Sequence, residues 1–159
     1  MAVVEKKNPP FVPSPLDVVS KMLSIVDPKK DEILVDLGAG DGRILFSAAR
    51  DYGCRAIGVE INPRLIEFIQ RKISSTGLKN IKILRKNFYT YDFSEADIVT
   101  LYLLPENLRE LKPRLLSLKR GSRIVSHDYR IPGIRPDEVY LVKSMEDGRY
   151  HKIYLYIVK

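Results

Sequence analysis

The segment Asp36-Leu37-Gly38-Ala39-Gly40-Asp41-Gly42 constrains this chain more than any other. It closes an apolar run at 33–37 and precedes an amphipathic stretch at 43–51, so it reads as the turn from a strand into a helix. Glycine lets such a turn take positive φ and bring backbone close to a ligand. In open α/β sheets that place is the crevice where nucleotide-like ligands bind. Spacing narrows the ligand further. In the dinucleotide pattern G-x-G-x-x-G the third glycine would fall at Arg43, whereas here it comes one residue early, at Gly42. No Gly-Lys-Ser or Gly-Lys-Thr follows, which excludes a phosphate-cradling P-loop. The ligand that fits carries an adenosine and no phosphate.

Acidic residues sharpen that reading. Asp36 at the strand end and Asp41 in the loop are badly placed for a pyrophosphate and well placed for a cationic ammonium or sulfonium. Asp41 also suits a helix N-cap, a role compatible with a nearby ligand. Glu60 closes the next strand about 20 residues on, where an acid accepts ribose hydroxyls in nucleotide-binding sheets. Its alternative is a surface cap for the helix that starts at Asn62. After the third strand, Asn87-Phe88 offers an amide for the edge of an adenine and a ring for its face.

The rest of the chain supplies the scaffold. Residues 1–13, with Lys, Asn and Pro, suit an extended arm, because proline breaks helices and central strands. Ser14-Pro15-Leu16-Asp17 offers a hydroxyl for an N-cap, Pro at the first helical position and an early carboxylate. Val18, Val19, Met22, Leu23 and Val26 then give one apolar face, so a helix is expected to about Val26. Strands are expected at 33–37, 56–61, 81–84, 98–103 and 122–126, and helices at 43–51, from Asn62-Pro63 to Gly77, and at 106–116, where Pro113 ends or kinks the last. Such alternation means right-handed βαβ units and a parallel sheet. The stretches 138–144 and 150–158 flank Glu146-Asp147-Gly148-Arg149 and read as an antiparallel hairpin. The fold class is therefore a three-layer α/β sandwich on a seven-stranded, mostly parallel sheet with a C-terminal antiparallel hairpin.

At 159 residues and 45% hydrophobic, the chain fits a single domain over 1–159. No apolar run approaches a bilayer span and the first residues lack a signal core, so a soluble, cytoplasmic monomer without membrane partners is expected. Cys54, the one cysteine, reads as an ordinary core thiol. The net charge of +7 favours polyanionic partners, yet acidic residues are interspersed and no long basic block occurs.

VDLGAGDGR, the VEIN that contains Glu60 and the KNF that ends in Phe88 resemble the cofactor motifs of class I, Rossmann-like methyltransferases dependent on S-adenosylmethionine. PFVPSP, DIVTLYLLP, VSHDY and the closing YLYIV are similar to those of the small archaeal broad-specificity protein lysine methyltransferases, and of a eukaryotic group acting on lysines of mitochondrial proteins. The resemblance implies S-adenosylmethionine as donor, lysine ε-amines of protein substrates as acceptors, and an arm folded over cofactor and lysine channel. It carries over Asp36, Gly38, Gly40 and Glu60, then Asn87 and Phe88, then Phe11 to Ser14. Where enzymes acting on nucleobases or glutamine carry an Asn-Pro-Pro-Tyr type motif, this chain has Leu101-Tyr102-Leu103-Leu104-Pro105, which disfavours those acceptors. An RNA acceptor on the same fold, and a non-catalytic cofactor-binding module, are the alternatives.

Methyl transfer from a sulfonium is an in-line displacement, so holding the reactants collinear is the main task. A lysine of ordinary pKa, about 10.4, has to lose its proton first, and burial in an apolar channel beside a positive sulfonium favours the free amine. Aromatic and aliphatic walls suit it better than a strong base. The candidates are Tyr102 first, with Leu103, then Phe11 from the arm and Tyr129. Tyr102 reads otherwise as a core aromatic. His127 reads either as a general base or as a hydrogen-bonded structural residue. Asp97 starts its strand, at the wrong end for the cofactor. His151 lies on the final strand, and two isolated histidines with one cysteine make no metal set.

Overall fold

A computed structural model describes residues 11–159; the first ten residues of the expected arm lie outside the described residues. Strand β1 (Ile33–Leu37) is central and pairs in parallel with β2 (Arg55–Glu60) and β4 (Ile98–Leu101). Beyond β2 lies β3 (Ile81–Arg85), and beyond β4 lies β5 (Arg123–His127). The hairpin strands β6 (Glu138–Lys143) and β7 (Tyr150–Ile157) complete the order β3-β2-β1-β4-β5-β7-β6. Only β7 runs against the other six, because it is antiparallel to both β5 and β6. The strand order reverses between β1 and β4, which leaves a crevice at their C-terminal ends.

Both faces of the sheet are covered, so neighbouring strand residues alternate between two cores rather than between core and water. Leu34, Ala56, Ile98 and Val125 pack with α1 (Leu16–Val26), α2 (Arg43–Ser47) and Ile69 of α3 (Pro63–Thr76). Val35, Val59, Val99 and Ile124 pack with Leu108, Leu111 and Leu115 of α4 (Pro105–Leu116). Truncating one of these leucines to alanine costs roughly 2–5 kcal/mol. Helix α3 follows its sequence signals: Asn62 Oδ1 accepts from Arg64 N–H, Pro63 opens the helix and Gly77 closes it in the left-handed region. No described helix is long and apolar enough to cross a membrane.

Four local expectations are corrected. Helix α1 begins one residue late, with Pro15 as its cap residue and no side-chain cap, because the Ser14 hydroxyl has a buried partner elsewhere. The stretch after Gly42 is α-helical only to Ser47 and widens into a π-helical turn over Ala48–Tyr52, which seats Ala48 and Ala49 in the core. Strand β4 stops at Leu101, so Tyr102 and Leu103 belong to the loop leading into α4. That helix runs through Pro113 to Leu116. Cys54 is buried, and burial pushes its thiol up to about 11, which suits an inert core residue.

Candidate active site

The crevice at the ends of β1 and β4 is built on the glycine loop. Gly38 and Gly40 take φ of 81° and 60°, a region closed to most side chains. A Cβ on Gly40 would stand 2.4 Å from the Phe11 ring, so the arm lies directly on this glycine. The carboxyl of Asp36 is buried and accepts the Thr100 hydroxyl at 2.9 Å. Burial raises its pKa to about 7; the Thr100 hydrogen bond opposes that rise, and the charges of Glu60 and Asp41 add to it. Glu60 reaches across from β2: Oε1 accepts Gly40 N–H at 2.9 Å, and Oε2 accepts Ile61 and Asn62 N–H at 2.8 and 3.0 Å. It thus braces the loop and also caps the turn into α3.

Asp41 is not the N-cap of α2; Gly42 holds that position. Asp41 pairs with Arg43 at 2.7 Å, and although burial raises its pKa, the Arg43 hydrogen bonds and charge bring it below the usual carboxylate value. Arg43 Nη1 donates to the Ser14 carbonyl at 2.7 Å. One guanidinium therefore ties the glycine loop to the arm.

A cavity of about 290 Å³, near the lower bound for ligand pockets, gathers every site residue read from the sequence except His127 and Tyr129, whose ring lies 6.3 Å from that of Tyr102. Asn87 and Phe88 meet the glycine loop there, with Asn87 Oδ1 accepting Tyr89 N–H at 2.9 Å. Phe11, Tyr102 and Leu103 form an apolar and aromatic part of the wall. His127 is fully buried behind Tyr102, whose ring stacks on it at 3.9 Å between centroids. Burial holds His127 down to about 4, against the opposing charge of Asp128. Burial likewise raises the pKa of Tyr102, keeping its hydroxyl neutral.

The two histidines are not isolated, contrary to the sequence reading. Ser14 Oγ lies 2.8 Å from His127 Nδ1, His127 Nε2 lies 2.8 Å from His151 Nδ1, and His151 Nε2 lies 2.8 Å from Asp147 Oδ2. Asp147 only accepts, so His151 Nε2 donates to it. Asp97 lies away from the crevice, accepting Ile33 N–H and pairing with Lys119, where it was expected.

Sequence reasoning missed the residues that hold the walls. Asn107, buried on α4, accepts Leu104 N–H and donates to the Tyr89 hydroxyl, fixing the loop that carries Tyr102. Arg114 donates to the carbonyls of Phe88, Tyr89 and Tyr91 and lies over the Phe93 ring, fixing the loop that carries Phe88. Pro105 followed two residues later by Asn107 was a visible capping signal; nothing local marked Arg114.

The family model of the ANTKMT methyltransferase domain matches residues 36–138, from the first acid of the crevice through all of its later walls. The chain belongs to the ANTKMT methyltransferase domain family. Relatives of this ANTKMT-type domain include a protein-lysine N-methyltransferase of Saccharolobus islandicus, 43% identical over 94% of this chain and 93% of the relative. The adenine nucleotide translocase lysine N-methyltransferase of Mus musculus is 31% identical over 80% of this chain. The chain spans about half the length of that relative, 56%. A solved Salinibacter ruber protein, described as an RNA methyltransferase in complex with S-adenosyl-L-homocysteine, is 35% identical with a TM-score of 0.84, over 92% of this chain and 94% of that one. TrmN from Thermus thermophilus, at 17% identity and a TM-score of 0.74 over 90% of this chain and 49% of that one, shares the fold.

Proposed function

We propose that the chain transfers a methyl group from S-adenosylmethionine to lysine ε-amino groups of proteins. One observation carries this reading: three carboxylates and an aromatic wall share a single cavity. Asp36, Asp41 and Glu60 make that cavity attractive to a cationic ligand, and their mutual repulsion helps to hold Asp36 partly protonated. The residues present fit the donor, because a glycine cradle, a ribose-facing acid and the Asn87-Phe88 pair adjoin those charges. When bound, S-adenosylmethionine supplies an electrophilic methyl on a sulfonium. Glu60 is assigned to the ribose hydroxyls, Phe88 to the face of the base and Asn87 to its edge. Ser14, at the end of the arm, is assigned to closing the cofactor side.

Phe11, Tyr102 and Leu103 are assigned to the lysine walls. Apolar burial there favours the neutral amine, so no strong base is needed. His127 does not line the cavity and spends both nitrogens on Ser14 and His151. Its assigned role is to position Tyr102 and Ser14. The 43% identical protein-lysine N-methyltransferase of Saccharolobus islandicus supports a protein acceptor.

An RNA acceptor is the second reading, favoured by the description of the Salinibacter ruber structure and by the net charge of +7. Incubating the chain with methyl-labelled S-adenosylmethionine and a cell extract separates the two. Label lost to protease and kept after nuclease is the expected outcome. Label lost to nuclease alone overturns the lysine reading.

A further inference from the structure

The paired histidines enclose a point that nothing in the methyl-transfer chemistry uses. Asp128 follows His127 at the end of β5 and holds its backbone in the left-handed region at φ 63°. Its Oδ1 accepts Lys152 N–H at 3.1 Å. Its Oδ2 faces both rings, 3.4 Å from His127 Nε2 and 3.5 Å from His151 Nδ1. Those separations are too long for good hydrogen bonds. The two nitrogens themselves are 2.8 Å apart. A carboxylate oxygen that faces two ring nitrogens almost equally and bonds to neither is placed as a metal ligand is placed.

The triangle has the right size. Its sides of 2.8, 3.4 and 3.5 Å put a point in its plane about 1.9 Å from each corner. A centre about 0.8 Å out of that plane is then about 2.05 Å from all three atoms, within the range of Zn–N and Zn–O bonds in tetrahedral sites. The surrounding partners suit it also. His151 keeps Nε2 for the Asp147 carboxylate at 2.8 Å, and His127 keeps Nδ1 for the Ser14 hydroxyl at 2.8 Å. Such outer partners orient metal-bound imidazoles and raise their basicity. Binding replaces the hydrogen bond between the two rings and leaves His127 Nδ1 to donate to the Ser14 hydroxyl. His127 and His151 are buried, and Asp128, about 30% exposed, marks the solvent side.

We propose that His127 Nε2, His151 Nδ1 and Asp128 Oδ2 form a site for a divalent transition metal of the zinc class, with a fourth position left for water. Such an ion joins the end of β5 to the start of β7 directly behind Tyr102. Binding is read without S-adenosylmethionine, so the proposal stands or falls separately from the methyl-transfer reading.

The untagged chain, stripped with chelator, is titrated with Zn²⁺ by calorimetry, and its thermal midpoint is followed with and without the ion. Asp128→Asn keeps a residue that tolerates the left-handed region, and His151→Gln keeps a polar group of similar reach; circular dichroism checks that both fold. The expected result is one Zn²⁺ per chain, a raised midpoint, and affinity at least tenfold weaker in both variants. Absence of saturable one-to-one binding overturns the site, as does affinity unchanged in either folded variant.

Discussion

Asp36 is the residue whose chemistry can be read most directly. In the free protein burial raises its carboxyl to about 7, far above the ordinary value of 3.8. A cationic cofactor prefers the ionised form, so affinity for S-adenosylmethionine should rise about tenfold between pH 6 and pH 8 as the competent fraction grows. Asp36→Asn should weaken binding and flatten that pH dependence in calorimetric titrations. Stability runs the other way. Because the folded pKa exceeds the unfolded one, the folded state holds the proton more tightly, and this contribution is complete below about pH 4 and lost as pH rises through 7. The ligand-free Asn variant should therefore melt higher than the parent at pH 8, each 1 kcal/mol showing as about 2–4 °C. For Tyr102, the wall role predicts that Tyr102→Phe keeps methyl transfer within a few-fold, while Tyr102→Ala lowers kcat about 100-fold through lost alignment. Equal losses in both variants would assign the work to the hydroxyl instead. At this scale the cofactor acids were legible, because glycine spacing and charge sign are local signals. His151 was not, since its meaning depends on His127, which is 24 residues away and on the neighbouring strand.

The arm and the glycine loop act together among the elements. Phe11 lies on Gly40, Arg43 holds the Ser14 carbonyl, and Ser14 holds His127. Removing residues 1–13 should abolish methyl transfer while the thermal midpoint stays close to the parent; unchanged turnover would refute the arm's role. Arg43→Ala should lower kcat/KM about tenfold and destabilise the fold by about 1–3 kcal/mol, because it leaves the Asp41 carboxylate, only a quarter exposed, without its partner. Steady-state kinetics beside a thermal melt checks both parts. The strands and helices were legible from alternating periodicity and from caps such as Asn62-Pro63. The start of α1 was not, because a serine before a proline looks the same whether it caps a helix or reaches a histidine 113 positions away. The end of β4 failed for a related reason: Tyr102 and Leu103 are as apolar as the strand before them, and the turn is fixed further on, where Asn107 accepts Leu104 N–H and Pro105 opens α4.

Over the whole molecule, a mostly parallel sheet with its order reversed at β1 and β4 fixes a crevice, and the family match from residue 36 to residue 138 covers its walls apart from the arm residues Phe11 to Ser14. The seven-stranded, mostly parallel sheet with its closing hairpin was legible from alternating elements and the Asp-Gly turn, whereas the order of its strands was not, because it is set by contacts between distant segments. The acceptor was not legible in residue pattern alone. An apolar wall states what an amine needs without stating which macromolecule carries it, and a net charge of +7 suits acidic proteins and RNA alike. The acceptor is therefore decided by putting the purified chain, S-adenosylmethionine and an unfolded lysine-rich protein in one tube, with transfer RNA in a second. Residue-level mass spectrometry and amino-acid analysis then locate the methyl group. The predicted result is ε-N-methyllysine in the protein, lost in Tyr102→Ala; methylated nucleotides with no methyllysine would contradict it.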